Sequence, residues 1–351
     1  MDKLNKITDF LAGHYEEQTL NFMYKSIKKS AIVDGKYFLI NKIPHADDLK
    51  TDGFYNLIVT SPLLNNFPDI NESLRRINNL LVLGGIFIGR AEELVHRKRR
   101  IRLLYNKFFS RMILFYEFIF KRVLPKLFGF RYIYRNLGFL KNRIMSKCEV
   151  LGRLQYCGFE IVDLKETNEF LYFVVYKKSK PLDEKPSDSL LIKIKKIGLH
   201  GRTIYCYKLR TMHAYAGYLH DYILKNLKID NEGKVVDDFR KTAWGMFLRK
   251  TWLDEIPQLY NLLKGDLSFI GLRPLSQEFL SKYPAEWRAE RIRIKPGIVP
   301  PYYADCPKSF AEIIESEKKY YRLKSRFPIT TDIFYLIMVL INFVLGKART
   351  G

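Results

Sequence analysis

The chain has 351 residues, 47% of them hydrophobic, and a formal net charge of +23. That length accommodates two domains, and that apolar content excludes a disordered chain. The charge calls for an anionic partner, which leaves nucleic acid, an anionic membrane surface and phosphorylated substrates as the open classes.

Met1 to Lys6 begins no signal-peptide pattern, and Cys148, Cys157, Cys206 and Cys306 have no metal-ligand spacing. Both features predict a reducing, cytosolic setting. Phe54 to Thr60 predicts a strand, Asp69 to Leu81 a helix with Leu74, Ile77 and Leu81 on its apolar face, and Ile86 to Gly89 a strand after a Gly84-Gly85 turn. The basic cluster His96 to Arg100 precedes residues 101–130, where Leu103, Leu104, Phe108, Phe109 and Met112 to Phe120 alternate with Lys107, Arg111, Lys121, Arg122 and Lys126. Such a segment is either a basic amphipathic helix lying in a membrane interface or a core helix of the first domain. With no zinc-finger spacing or RRM-type aromatic signature, the cluster reads as a membrane-surface contact rather than a nucleic-acid patch. Ile333 to Leu345 and Met112 to Phe120 are too short to span a bilayer, so 101–130 and 331–346 are the interfacial candidates. Glu149 to Tyr176 predicts a closing helix and strand pair, and residues 178–189 have linker composition.

Beyond the linker, Lys208 and Arg210 alternate with apolar neighbours. Thr251 to Leu259 sets Asp254 and Glu255 at a helix entrance. Pro257 suits a first turn, which makes Asp254 the N-cap, and Ile256, Leu259, Tyr260 and Leu263 form a packed stripe closed by Lys264-Gly265. On pattern alone, Asp254 is a helix cap or a catalytic carboxylate. Arg273, in a Gly-Leu-Arg-Pro turn after the strand Leu267 to Ile270, is a solvated arginine or a fork for phosphate oxygens. Arg291 to Lys295 alternates strictly; as a strand it places Arg291, Arg293 and Lys295 on one cationic face, either solvated or turned to a ligand by Pro296-Gly297.

In order, the blocks Tyr207 to Met212, Phe247 to Lys250, Thr251 to Leu259, Gly271 to Pro274 and Lys295 to Gly297 resemble the bacterial sugar transferases, the monotopic polyprenyl-phosphate phosphoglycosyl transferases. The resemblance covers about residues 190 to 350. It implies that Asp254 is the nucleophile, that Glu255 assists and helps hold magnesium, and that Lys208 and Arg210 lie near the active site; Arg249, Arg273, Arg291, Arg293 and Lys295 are the further candidates for binding substrate phosphates. It further implies transfer of a phospho-sugar from a nucleotide diphosphate sugar, a UDP-sugar by expectation, to an undecaprenyl-type phosphate, initiating polysaccharide or glycan synthesis on the cytoplasmic side of the plasma membrane. No nucleic acid takes part. Oxygen-ligated magnesium matches a site with carboxylates and no His/Cys cage. Two departures stand out: Lys180 to Lys196 is polar where the relatives carry a long apolar membrane helix, and Pro300-Pro301-Tyr302-Tyr303 replaces a Thr-Gly-containing stretch. The second bears on acceptor or sugar selectivity.

The first half resembles the later part of a class I methyltransferase domain. Residues 1–55 lack a Gly-x-Gly-x-Gly turn to cradle S-adenosylmethionine, which implies a degenerate scaffold. The fold class expected is therefore α/β: a Rossmann-like methyltransferase-type domain at 1–177, then 190–351 as a mixed α/β sugar-transferase catalytic domain, with interfacial helices. A catalytically silent membrane scaffold and an active methyltransferase are the competing functional readings.

Overall fold

The computed structural model describes residues 17–29, 36–43, 54–124, 143–186, 189–228 and 235–347. Residues 1–16, 125–130 of the expected interfacial segment and 187–188 of the expected linker lie outside them. The chain divides into two compact units, Met1–Ser189 with Met212–Arg240, and Leu190–Thr211 with Lys241–Gly351.

In the first unit, helix α1 (Glu17–Lys29) precedes strands β1 (Tyr37–Ile40) and β2 (Tyr55–Thr60), helix α2 (Ile70–Leu80) and strand β3 (Leu81–Ala91). Helices α3 (Leu94–Leu104), α4 (Lys107–Glu117) and α5 (Lys147–Tyr156) follow, then strands β4 (Phe159–Glu166) and β5 (Leu171–Lys177) and the short helix α6 (His220–Asn226). The sheet order is β1-β2-β3-β5-β4, with β1 to β3 parallel and β5 antiparallel to both neighbours. This is a Rossmann-like α/β sheet closed by an antiparallel pair, as Glu149 to Tyr176 predicts.

Successive side chains on a strand point to opposite faces, and here both faces are covered, so the strands are apolar throughout. Ile58, Phe87, Phe173 and Val175 pack with Leu74 and Ile77 of α2 and Leu151 and Leu154 of α5. Leu57, Val59, Ile86, Ile88 and Val174 pack on the other face with Met23 of α1. Asp69 caps α2, accepting the Glu72 N–H at 3.1 Å.

The sequence reading keeps 190–351 together, but Met212–Arg240 belongs to the first unit. Ala214, Tyr215, Ala216, Leu219 and Ile223 complete its core. Gly152 admits this segment: a Cβ there would lie 2.5 Å from the Tyr215 carbonyl oxygen.

The second unit has an antiparallel hairpin, β6 (Leu191–Ile197) and β7 (Thr203–Leu209), followed by α7 (Ala243–Lys250), a 3-10 turn Leu253–Glu255 and α8 (Gln258–Leu263). Strand β8 (Ser268–Ile270) pairs in parallel with β9 (Gly297–Val299) across α9 (Ala285–Arg291), and α10 (Phe310–Arg326) and α11 (Pro328–Val344) close the unit. Its main core gathers Ile270, Leu272, Trp287, Val299, Tyr320, Tyr335 and Val339. Gly271 and Gly297 sit so close that a Cβ on Gly297 would lie 2.2 Å from the Gly271 nitrogen, which brings the Arg273 turn against the Lys295 segment. No described helix is long and apolar enough to cross a membrane.

Candidate active site

Asp254 is not an N-cap. It lies in the 3-10 turn Leu253–Glu255, and α8 begins at Gln258 after Pro257 without a side-chain cap bond. Trp252, at the entry to this turn, adopts φ 59°, the left-handed region that a bulky side chain enters at a cost of about 1–3 kcal/mol. Its ring is held between Tyr303 and Phe343, with centroids at 4.8 and 5.3 Å. The strain is therefore fixed by packing, and it turns Asp254 inward to 8% exposure.

Asn261, fully buried on α8, ties this turn to β7. Its Oδ1 accepts the Tyr207 N–H at 3.1 Å and its Nδ2 donates to the Tyr205 carbonyl at 2.7 Å. The next strand position is Lys208, whose ammonium meets Glu255 Oε1 at 2.5 Å. Arg249 at the end of α7 donates from Nε to Thr211 Oγ1 at 2.8 Å, and the Thr242 hydroxyl donates to the Thr211 carbonyl at 2.9 Å. Thr211 thus fastens α7 to the end of the hairpin.

Burial raises the Asp254 pKa, and the neighbouring Glu255 charge adds to the rise, while Lys208 and Arg249 oppose it. Structure thus joins Asp254, Glu255, Lys208 and Arg249 electrostatically. Arg273 is exposed in its turn, with Nη1 donating to the Tyr302 hydroxyl at 2.8 Å, and its guanidinium feels the Glu255 charge. Arg210 follows directly on β7, its N–H bonded to the Leu190 carbonyl at 2.7 Å.

The cationic strand expected at Arg291 to Lys295 does not form. Arg291 ends α9 and the chain turns through Ile292 to Ile294 before β9. Arg291 and Glu317, 6% and 1% exposed, make a two-pronged pair with both contacts at 2.9 Å. Trp287 and Tyr283 also donate to Glu317, and Arg291 Nη2 donates to the Arg273 carbonyl at 2.6 Å. Its charge is consumed in holding the Arg273 turn, so the alternation was misleading. Arg293 and Lys295 are exposed.

The sequence reading missed Lys196. Opposed residues of the hairpin, Ile192 with Lys208, Ile194 with Cys206 and Lys196 with Ile204, share one face. Lys196 therefore stands on the same face as Lys208, half-buried. Burial lowers its pKa, and the charges of Arg273 and Lys208 lower it further. The signal was a lysine interrupting the alternating Ile192, Ile194 positions, hidden by its exposed neighbours Lys193 and Lys195.

Among the described residues no cluster of three His, Cys, Asp or Glu side chains forms a metal cage. Asp254 and Glu255 offer oxygen donors alone. This fits magnesium, which is held by one or two carboxylates and completes its shell with phosphate oxygens and water.

The stripe expected to pack on α8 instead faces outward: Ile256, Leu259, Tyr260 and Leu263 are 52, 47, 57 and 87% exposed. Leu253 before it and Trp244, Met246 and Phe247 of α7 are exposed as well. The turn that carries Asp254 is rimmed with apolar side chains, because helical periodicity fixes which face is apolar but not what that face meets.

The second unit thus sets a carboxylate pair among lysines and arginines on a mixed α/β frame. Residues 174–345 match the family model described as bacterial sugar transferase. The galactosyl transferase CpsE of Streptococcus agalactiae is 33% identical over 156 residues, covering 43% of this chain and 34% of CpsE. The sugar transferase EpsL of Bacillus subtilis is 41% identical over 102 residues, 29% of this chain and 44% of EpsL. The undecaprenyl-phosphate galactose phosphotransferase of Salmonella typhimurium is 41% identical over 93 residues, 25% of this chain and 20% of that protein. The chain thus spans less than half the length of these relatives. Among solved structures, a SAM-dependent methyltransferase from Thermotoga maritima is similar at a TM-score of 0.25 and 11% identity, over 50% of this chain and 96% of that one.

Proposed function

We propose that the second unit transfers a phospho-sugar from a nucleotide diphosphate sugar to a polyprenyl phosphate in two displacements at Asp254. The observation that supports this most is the buried Asp254 carboxylate beside Glu255, facing Lys208 and Arg249. In the first step an Asp254 oxygen attacks the sugar-bearing phosphorus, the bond to the bridging oxygen breaks, and nucleoside monophosphate departs with the electron pair. An acyl phosphate remains on Asp254. In the second step an oxygen of the acceptor phosphate attacks the same phosphorus, releasing the Asp254 carboxylate and giving a polyprenyl diphosphate sugar.

Both steps bring anion to anion, so catalysis rests on positioning and charge neutralisation. Lys208, Lys196 and Arg273 supply cations from one hairpin face and one turn, and Arg291 positions Arg273 through its carbonyl. Magnesium, when bound with Glu255, adds divalent charge at the diphosphate. Burial raises the Asp254 pKa and leaves the nucleophile poorly solvated, while Lys208 and Arg249 oppose the rise.

A polyprenyl phosphate resides in a membrane, so on this reading the reaction runs at a membrane surface, its cytoplasmic face by expectation. The outward apolar side chains of α7 and α8 favour immersion of the second unit's Asp254 rim in an interface. On the first unit, α4 is reversed: Ser110 and Glu117 are buried, whereas Phe108, Phe109, Met112 and Phe115 are 67, 54, 53 and 69% exposed. Arg97 clamps Glu117 with both contacts from Nε at 3.0 Å, holding this helix with its polar side inward. For this helix, that favours the interfacial reading over the core one.

The test is release of nucleoside monophosphate from a panel of UDP-sugars by membrane-reconstituted protein with magnesium, together with intact mass in the absence of acceptor. Expected are release and a phospho-sugar adduct in the wild type, neither in Asp254→Asn. Full turnover in that variant would remove Asp254 as nucleophile.

A further inference from the structure

We infer that the first unit carries a separate anion site, which takes the phosphate monoester headgroup of a lipid in the crevice beyond the carboxyl ends of β2 and β3. Ligands of open α/β sheets gather beyond the carboxyl ends of the strands. Here that place holds a cavity of about 690 Å³, within the range of small-molecule sites, whose walls include His96, Arg99, Arg100 and Arg143.

The cavity has a rigid frame. Asn65, 3% exposed, donates from Nδ2 to the carbonyls of Glu92 at 2.9 Å and Arg143 at 2.7 Å, and its Oδ1 accepts the Glu92 N–H at 2.7 Å. One side chain thus joins the ends of both strands to the segment that bears Arg143. Two carboxylates, Glu92 and Glu169, also line the space. Glu92 is already paired with Arg97 at 3.3 Å and Arg100 at 2.7 Å, so its charge is met within the wall. Arg99 is exposed and steadied by Asn168 Oδ1 at 2.6 Å, which orients its guanidinium for bidentate contact with phosphate oxygens.

His96 points to the kind of phosphate. It is 8% exposed, and its buried Nδ1 has no hydrogen-bond partner, an unmet demand that a ligand can satisfy. Burial lowers its pKa and so favours the neutral ring, in which a ring nitrogen that carries no proton is an acceptor. An acceptor there takes the P–OH of a monoester, a group that a phosphodiester lacks.

The lipid source rests on the membrane reading of the α3–α4 hairpin. Leu103 and Leu104, 78 and 69% exposed, stand on the cavity wall and lead to the exposed Phe108 of α4, so a headgroup in the cavity leaves its chain along an apolar path.

The experiment is co-sedimentation of the full chain with phosphatidylcholine vesicles carrying phosphatidic acid, a monoester, or phosphatidylglycerol, a diester, at matched surface charge. Calorimetry with inorganic phosphate alone runs beside it. Expected is a preference of about ten-fold for the monoester vesicles, lost in Arg99→Ala and in His96→Phe with unchanged circular dichroism. Arg99 is exposed, so its variant reads the site even where His96→Phe unfolds. Equal binding to both vesicles overturns the site and leaves membrane association standing. Binding to neither overturns both, and inorganic phosphate bound as tightly as the vesicles overturns the lipid source. None of these readouts depends on sugar transfer.

Discussion

Two regions of the second unit each bury a carboxylate beside arginine or lysine, yet they are built for opposite ends. At the α9–α10 clasp, Glu317 receives two prongs from Arg291 and further donors from Trp287 and Tyr283, so every charge is answered internally. At the Leu253–Glu255 turn, Lys208 reaches Glu255 rather than Asp254, and Asp254 keeps a raised pKa among cations that do not close upon it. The difference teaches that burial beside a positive charge is not by itself a mark of catalysis. What separates the two is whether the pairing is complete.

The widest separation comes from removing each carboxylate's charge. Asp254→Asn should abolish transfer, by on the order of 10³-fold or more in kcat, with the thermal midpoint unchanged. Glu317→Gln should do the reverse, costing about 3–5 kcal/mol of stability by leaving the Arg291 guanidinium buried without its counter-ion. Parallel activity and denaturant melts check both, and a large stability loss in Asp254→Asn would erase the distinction. Glu255→Gln is expected between them, lowering kcat by about 10²-fold without unfolding the unit, as an assisting group should.

Lys208→Met sharpens the account of Asp254 further. Burial and Glu255 raise this pKa and Lys208 lowers it, so without the lysine the carboxyl stays protonated to higher pH. The acid limb of the kcat profile should move upward, and an unmoved limb would disconnect Lys208 from Asp254. The smallest effect is expected at Glu93 in the first unit, a buried carboxyl pushed up to about 7 by burial and then by Glu166, with Lys147 opposing. Its folded value lies above its unfolded one, so its contribution is full below the unfolded value and lost as pH rises through about 7. The melting temperature should fall across that range in the wild type and run flatter in Glu93→Gln.

Much of this was legible in the sequence where local chemistry decides. Asp69 before Ile70, the apolar runs of β2 and β3, and the adjacent Asp254 and Glu255 all carry their own signals. What stayed hidden depends on distant partners. Arg291 alternates with isoleucines like a ligand ladder, and its role depends on Glu317 far along the chain. Met212–Arg240 follows the hairpin in sequence but packs where Gly152 leaves room for Tyr215. The α8 stripe has the period of a packed helix, and only its surroundings show that it faces outward.

Asn261 makes the chain from Asp254 to α8 a ruler. Because its amide reads two backbone groups of β7 at once, its own place is fixed, and any residue inserted or deleted before it would rotate the upstream turn by about 100° and slide it about 1.5 Å. Length variation is therefore intolerable over this stretch, however freely its exposed apolar side chains are exchanged.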